Sequence, residues 1–315
     1  MSHHRNNRHN HNHNHIGSGG KAPELFTFSR HTVACERHPE RNEDTIVIDE
    51  RSGLAAVFDG VGGSAAGEIA SQIAARSTLE SWKRTIRQMQ KGRKIHGFLD
   101  GHNGLHADIC TILEQLILDA DDQVRNEGAR RAGTSDLATT VALTALIRQP
   151  DRRGYIMFYA HVGDSRVYML RPDEPLKRLT NDDGLLAKLV ENQIVNSADA
   201  LRIDQAMRSN QLSDTEYSYF RLRGGITQAL GGPLPPTIHI DQVSVFPGDR
   251  ILLCTDGIHD NLIDEEIEEI LRSEPRTSAA RQLVERSIER SRQERHVTVR
   301  AKPDDMSAIV MTCRY

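Results

Sequence analysis

The chain has 315 residues, a net charge of −4 at pH 7 and a mean hydropathy of −0.53. A mildly acidic chain argues against nucleic acid as the main partner, because binding to a phosphate backbone favours an excess of basic residues. The sequence has no run of about 18 apolar residues and no visible signal peptide, so we expect a cytoplasmic protein without a membrane partner.

The first twenty residues, MSHHRNNRHNHNHNHIGSGG, combine an alternating His-Asn tract with a Gly/Ser stretch. This composition is typical of a purification handle with a linker, and a native metal-binding tail is the alternative. The cysteines lie far apart without a C-x-x-C pair and are interpreted as free thiols. Because no Pro/Ser-rich linker follows residue 21, the sequence predicts a tail at 1–20 and one domain at 21–315.

Short apolar segments rich in β-branched residues, separated by turn signals, predict strands along most of the chain. The predicted strands are 45–49, 54–58, 139–147, 155–162, 166–170, 237–245 and 250–254. The spacing within 45–58 and within 155–170 is typical of hairpins, which favours antiparallel pairing.

Apolar residues three to four positions apart predict helices at 65–89 and 105–124. Asp264 and Thr277 are candidate caps of two further helices near the C-terminus. Residues 181–224 are polar and irregular, and we interpret them as a helical insertion or flap. Because strands and helices come in separate runs rather than in βαβ alternation, the pattern predicts an α+β sandwich of sheets and helices.

Acidic residues stand where several predicted strands begin or end. Asp59, Asp164 and Asp256 each lie beside a glycine at a strand end, and the pairs 43–44 and 304–305 precede apolar runs. Each of them alone is typical of an ordinary turn. Together they indicate a site for a hard divalent cation, since magnesium and manganese prefer oxygen ligands to His or Cys.

The segment after Asp59 also fits the dinucleotide fingerprint G-x-G-x-x-[GA], with Glu80 twenty residues further on. That fingerprint requires a βαβ unit, whereas Glu80 lies in a continuing helical stretch with no strand after it. Asp59 would also place a negative charge beside the pyrophosphate. We therefore reject nucleotide binding at this position.

Eight motifs in one order carry a resemblance to a known family. They are RNED, VFDGVGGS, LATTVALTAL, HVGDSRVYML, RLTNDD, ITQALGG, FPGDRILLCTDGIHDNL and PDDMSAIV. The series, over about residues 30–313, resembles the metal-dependent protein phosphatases (PPM, or type-2C, serine/threonine phosphatases), in their compact bacterial form. The resemblance implies a central antiparallel β-sandwich flanked by helices, in four αββα layers.

The resemblance also implies roles for individual residues. Asp59 would be the central ligand of two Mg²⁺ or Mn²⁺ ions, with the Gly60 carbonyl on the second ion. The other implied metal ligands are Asp256 and Asp304 for the first ion, and Asp164 and Asp260 for a third, weaker ion. Glu43 and Asp44 match the pair that holds metal-bound water, and the three residues Asp59, Glu43 and Asp44 form the expected catalytic set.

The implied reaction is hydrolysis of phosphoserine and phosphothreonine in a phosphoprotein substrate, with a serine/threonine kinase or its targets as partners. Two cations about 3.5–4 Å apart can share one water and generate hydroxide, which attacks phosphorus directly. No phosphoenzyme forms, so Cys254 and Ser165 are not expected to be nucleophiles. We expect His161 to be a core residue, whereas His259 is either a general acid or a surface residue near the site.

Two positions depart from the family pattern. Val61 replaces the histidine of animal members, and Pro39 stands where the family has its phosphate-binding arginine. Arg37 and Arg41 flank that proline with the same parity, so in an extended strand either one would reach the phosphate. The displaced arginine supports the alternative function, a catalytically silent module that binds a phosphoprotein or kinase. An unrelated metal-dependent nuclease would need a basic surface, which this acidic chain does not favour.

Overall fold

Two antiparallel sheets packed face to face form the centre of the fold. The computed structural model describes residues 26–61, 66–91, 105–133, 136–148 and 154–314, so the predicted tail at 1–20 lies outside the described residues. None of the helices within these ranges combines the length and the apolar character that a membrane span requires.

The strands form two sheets of different composition. They are β1 Phe26–Val33, β2 Asp44–Asp49, β3 Leu54–Val61, β4 Ala138–Thr139, β5 Val141–Arg148, β6 Tyr155–Val162, β7 Arg166–Leu170, β8 Lys177–Arg178, β9 His239–Val245, β10 Arg250–Cys254 and β11 Met306–Cys313. One sheet has the strand order β1-β11-β10-β7-β8. The other has the order β2-β3-β5-β6-β9, and β4 pairs with β3.

Helices flank the two sheets. They are α1 Ala66–Lys91, α2 Leu105–Gln123, α3 Ala129–Ala132, α4 Leu185–Glu191, α5 Ser197–Asp204, α6 Asp214–Leu222, α7 Asp256–His259, α8 Asp264–Ser273 and α9 Ala279–Ser291. The N-cap residues predicted for the two C-terminal helices are each wrong by one position. Asp264 is the first residue of α8 rather than its cap, and Ser278 rather than Thr277 precedes α9.

Three apolar layers separate the sheets and helices. Leu54, Ala56 and Phe58 of β3 pack against α1 and α2, whereas Ala55 and Val57 face the other sheet. A third apolar cluster joins the sheet of β10 and β11 to α8 and α9. These strands are buried on both faces, which explains their nearly continuous apolar sequence. The predicted α+β sandwich with four αββα layers is confirmed.

The two predicted hairpins have different outcomes. The 45–58 pair forms β2 and β3, which are antiparallel neighbours as predicted. The 155–170 prediction is wrong, because β6 pairs with β5 and β9 whereas β7 pairs with β10 and β8 in the other sheet. Gly163 adopts a φ of 97° between them, a conformation that a residue with a side chain rarely takes. The chain therefore crosses from one sheet to the other at the position of Asp164.

A separate group of short helices, α4 to α6, lies between β8 and β9. It has its own small apolar cluster, which includes Leu186, Val195, Ile203 and Phe220. Capping side chains define two of these helices, since Asn196 accepts from the Asp199 N–H and Ser213 from the Glu216 N–H. This helical segment, residues 185–222, leads directly to Arg223, which reaches the acidic cluster described next.

Candidate metal centre

The acidic strand ends meet at one edge of the two sheets. Asp59 near the end of β3 is directly opposite Asp44 at the start of β2. Asp164 lies in the crossover from β6 to β7, Asp256 follows β10, and Asp304 precedes β11. The antiparallel topology explains this arrangement, because the end of one strand lies beside the start of its neighbour.

Asp59 is surrounded by negative charge. Desolvation raises the pKa of Asp59 well above its ordinary value, and neighbouring carboxylates raise it further. Those neighbours are Asp256, Asp44, Asp304 and Asp164. Within the described residues, no cation or hydrogen-bond donor contacts the Asp59 carboxylate, although its backbone carbonyl accepts from the Thr140 N–H at 2.8 Å. An ionised carboxylate in this position would be stabilised by a bound cation.

Two glycines allow segments of the chain to pack closely beside Asp59. A Cβ on Gly60 would lie 2.3 Å from the Gly67 carbonyl oxygen and 2.6 Å from that of Glu43. A Cβ on Gly67 would lie 2.8 Å from the Gly60 carbonyl oxygen and 2.9 Å from Glu43 Oε2. Neither position accepts a side chain, so the Gly60 carbonyl and the Glu43 carboxylate remain close together. The role of Gly67 is visible only in the folded chain.

The Asp44 carboxylate is buried and held by a neighbouring hydroxyl. Thr255 Oγ1 donates to Asp44 Oδ2 at 2.7 Å. Burial raises the pKa of Asp44 well above its ordinary value, which the hydrogen bonds from Thr255 and Ser307 oppose. Desolvation also raises the pKa of Glu43, against the charge of Arg41. Both acids of the RNED motif therefore lie at the acidic edge.

Two basic residues that the sequence patterns did not identify enter the cluster. Lys302 Nζ contacts Asp256 Oδ2, and it lies 2.9 Å from Asp260 Oδ2 and 3.0 Å from Asp304 Oδ2. Arg223 Nη1 lies 3.2 Å from Asp260 Oδ1. Burial alone would raise the pKa of Asp260, but Arg223 and Lys302 outweigh it and hold that pKa well below its ordinary value. The charge of Asp260 is therefore already balanced by Arg223 and Lys302.

The donor set fits a hydrated magnesium or manganese ion. Its groups are carboxylates and a backbone carbonyl, the oxygen ligands that these ions prefer. In the described part of the chain, no three His, Cys, Asp or Glu side chains surround one point closely enough to hold an ion by themselves. Magnesium usually keeps several waters and needs only one or two carboxylates directly, so this spacing is compatible with binding.

The candidate phosphate-binding arginines lie on turns rather than on an extended strand, so the expectation based on strand parity is wrong. The segment 34–43 is folded by hydrogen bonds from the His38 N–H to the Cys35 carbonyl and from the Arg41 N–H to the His38 carbonyl, each 3.0 Å. Arg41 Nε lies 2.9 Å from Glu43 Oε1, whereas the Arg37 side chain is exposed. The turns bring only Arg41 to an acid of the cluster.

The remaining candidates are buried side chains, two of them hydrogen-bonded. His161 is buried as expected, and Cys254 is fully buried with its pKa raised by burial. Ser165 Oγ hydrogen-bonds Thr140 Oγ1 at 2.8 Å. His259 is not a surface residue: it is buried, and its Nε2–H donates to the Asp164 carbonyl at 3.0 Å. Burial lowers the pKa of His259 to about 4, so this imidazole is neutral at pH 7.

Comparison with known proteins identifies the family. The model of the family Protein phosphatase 2C matches residues 34–304. The chain belongs to the protein phosphatase 2C family. Serine/threonine protein phosphatase PstP of Mycobacterium tuberculosis is 30% identical over 250 residues, which are 78% of this chain and 39% of PstP. The serine/threonine phosphatase stp of Listeria innocua is 26% identical over 236 residues, 75% of this chain and 78% of stp.

A solved structure shows the same fold. The catalytic domain of PstP in complex with two manganese ions superposes with a TM-score of 0.63 at 23% identity, covering 92% of this chain and 99% of that domain. This chain spans about two fifths of the full PstP sequence. The family assignment from the eight sequence motifs is thus confirmed, and the protein phosphatase 2C fold accounts for the two packed sheets.

Proposed function

We propose that this chain hydrolyses phosphoserine and phosphothreonine in proteins with two Mg²⁺ or Mn²⁺ ions. One observation carries the proposal: the Asp59 carboxylate lies among other carboxylates and has no cationic partner within the described residues. A divalent cation is the natural way to balance such a cluster. Membership of the protein phosphatase 2C family and the serine/threonine phosphatases among its relatives support the reaction type.

In this proposal, Asp59 and the Gly60 carbonyl would hold one ion, and Asp59 with Asp256 and Asp304 would hold the other. When bound, such a pair lowers the pKa of a water and offsets the charge of the phosphoryl oxygens. Glu43 and Asp44 orient water at the edge of the cluster. Asp164 is available to a third ion, whereas Asp260 is engaged by Arg223 and Lys302. The neutral, hydrogen-bonded His259 does not supply a proton and instead positions the loop of Asp164.

Arg41 is the better candidate for the phosphate contact. Its guanidinium lies beside Glu43 at the cluster and its side chain as a whole is 26% exposed, which leaves it accessible to a substrate phosphate. A guanidinium can make two parallel hydrogen bonds to a phosphate. Arg41→Ala is expected to raise the KM for a phosphopeptide at least about tenfold, the equivalent of 1.4 kcal/mol of binding. The matched variant Arg37→Ala is expected to leave KM within about twofold.

The expected substrates are phosphoproteins, and serine/threonine kinases or their targets are the proposed partners. We further propose a cytoplasmic location, one domain from residue 21 to 315, and a flap at 181–224 that shapes access to the site. The short helices α4 to α6 and their small apolar cluster support a distinct role for that segment.

The test is phosphate release from phosphoserine, phosphothreonine and phosphotyrosine peptides in MnCl₂ and in EDTA. We expect manganese-dependent release from the first two peptides and none in EDTA. Asp59→Asn is expected to abolish release, whereas Asp173→Asn on an exposed turn is a matched control that keeps it. Activity that persists in EDTA would overturn the proposal. Binding of a phosphopeptide without hydrolysis in manganese would instead support the silent module.

A further inference from the structure

Lys302 occupies the space between three carboxylates of the acidic cluster. Its Nζ contacts Asp256, and lies 2.9 Å from Asp260 Oδ2 and 3.0 Å from Asp304 Oδ2. One ammonium, which has three protons to donate, thus lies close to three acids. Asp256 and Asp304 are two of the groups that the proposed function assigns to a metal ion. The ammonium and the ion therefore need the same oxygen atoms.

The backbone of Lys302 is fixed by its neighbours. Asn261 Nδ2 donates to the Lys302 carbonyl at 2.9 Å, and the Lys302 N–H donates to Asn261 Oδ1 at 3.1 Å. Two residues earlier, the fully buried Arg300 donates to the carbonyls of His259 and Leu262. This anchoring directs the side chain into the cluster, and it distinguishes Lys302 from a lysine that reaches an acid by chance on the surface.

The side chain nevertheless has room to leave. Lys302 is 36% exposed and Asp304 is 34% exposed, so the contact lies at the mouth of the cluster. Gly224 is nearby, and a Cβ there would lie 3.8 Å from Lys302 Nζ and 3.6 Å from Asp260 Oδ2. The chain places no larger side chain at this point that would block the ammonium. Rotation of the flexible lysine stem can carry its charge into solvent while the backbone stays in place.

We infer that Lys302 is an internal counter-ion that holds Asp256, Asp260 and Asp304 together in the metal-free protein and is displaced when a divalent cation binds. The inference rests on the proposed metal-dependent function. Displacement follows because an ammonium and a divalent cation a few ångströms apart repel each other strongly in a partly desolvated site. The cost falls on the ion held by Asp256 and Asp304, since Lys302 does not contact Asp59. Lys302 thereby weakens metal binding and stabilises the metal-free cluster.

The first experiment is calorimetric titration of MnCl₂ into the full chain and its variants. Lys302→Met removes the charge and keeps the unbranched stem, so its Mn²⁺ dissociation constant is expected to fall about tenfold or more. Lys302→Arg keeps the charge and is expected to stay within about threefold of wild type. Lys188→Met, which removes an exposed lysine paired with Glu191 at 2.7 Å, controls for net charge and is expected to have no effect.

The outcomes separate this inference from the proposed function. Equal or weaker Mn²⁺ binding by Lys302→Met overturns the inference alone, and so does equal tightening by Lys302→Arg or by Lys188→Met. Absence of Mn²⁺ binding in wild type and all variants overturns the proposed function as well. A second readout is the melting temperature in EDTA, which Lys302→Met is expected to lower because Asp256 and Asp304 lose their cationic partner and Asp260 keeps only Arg223.

A measurement on the wild-type chain covers the case in which Lys302→Met does not fold. Brief acetylation of amines, followed by peptide mass spectrometry, compares Lys302 with Lys188 in EDTA and in MnCl₂. If Lys302 is displaced, manganese is expected to increase its acetylation about threefold or more. A threefold change corresponds to less than about 1 kcal/mol. Acetylation of Lys188 is expected to stay constant. Unchanged or reduced acetylation of Lys302 in manganese would overturn the inference.

Discussion

The Asp305 carboxylate accepts a hydrogen bond from the Glu43 N–H at 2.6 Å. Its second oxygen accepts from the Cys35 N–H, also at 2.6 Å. A single buried side chain before β11 thus fixes both ends of the turn segment 35–43. This segment carries Arg41 and leads into the Glu43–Asp44 pair, so Asp305 positions the proposed phosphate contact without being a metal ligand itself.

Asp305→Ala is expected to destabilise the protein by about 3 kcal/mol, because the buried Cys35 N–H and the partly buried Glu43 N–H lose a charged acceptor. Asp305→Asn keeps one acceptor oxygen and is expected to lose about half as much. Both variants are also expected to raise the KM for a phosphopeptide, since Arg41 is no longer held in place. Urea unfolding and steady-state kinetics provide the two measurements. If both variants matched Asp173→Asn, an exposed control, the positioning role would be wrong.

Asp59→Asn is expected to stabilise the metal-free protein while abolishing activity. Desolvation and the surrounding acids raise the pKa of Asp59, so its ionised form destabilises the folded chain. The sign follows from linkage: the metal-free protein loses stability as pH rises from the ordinary carboxyl pKa towards the raised folded value. Asparagine removes this charge at pH 8.

The measurement for Asp59→Asn is the melting temperature in EDTA and in MnCl₂ at pH 8. In EDTA we expect a rise of about 2 °C or more over wild type, given roughly 2–4 °C per kcal/mol for a domain somewhat smaller than this one. In MnCl₂ we expect the manganese-induced increase to be lost. A variant that is less stable than wild type in EDTA would show that Asp59 carries no uncompensated charge.

Gly67→Ala is expected to lower the stability of the protein, the opposite of the usual effect of alanine in a helix. Alanine is ordinarily favoured over glycine by about 1 kcal/mol within a helix. At the start of α1, however, a Cβ on Gly67 would lie 2.8 Å from the Gly60 carbonyl oxygen and 2.9 Å from Glu43 Oε2. We expect lower thermal stability and at least tenfold weaker Mn²⁺ binding (about 1.4 kcal/mol), measured by calorimetry. Ser77→Ala on the same helix is the control, and equal behaviour of the two variants would contradict the prediction.

Local patterns were enough to predict most of the layers. The segments that became β3, β6 and β10 are short, apolar and bounded by turn residues, and their alternate residues fill cores on opposite faces. The acids beside glycines could be recognised as one group because they recur at strand ends. The sheet change after β6 could not be predicted by spacing alone, since it depends on the φ of Gly163.

Contacts between distant parts of the chain account for what the sequence patterns missed. Lys302 reaches Asp256 across 46 positions, and Arg223 reaches Asp260 across 37. In the sequence alone, Lys302 and Arg223 cannot be distinguished from ordinary surface residues, because only the folded chain brings them to these acids. The turns at 34–43 are likewise fixed by Asp305, which lies 262 positions from Glu43, so strand parity could not decide between Arg37 and Arg41.

His259 is expected to make the protein sensitive to acid without affecting its chemistry near neutral pH. Burial, together with the charge of Arg166, lowers the pKa of His259 to about 4. The unfolded chain binds a proton near pH 6.5 and the folded chain does not, so this histidine costs about 2 kcal/mol of stability between pH 6.5 and 5. His259→Gln keeps a side-chain donor for the Asp164 carbonyl but cannot titrate, and its melting temperature in EDTA is expected to fall less than that of wild type over this range.

His296→Gln, at an exposed position, controls for loss of a histidine and is expected to follow wild type. Parallel melting curves for wild type and His259→Gln would show that His259 binds a proton as readily in the folded chain as in the unfolded chain, which would contradict the prediction.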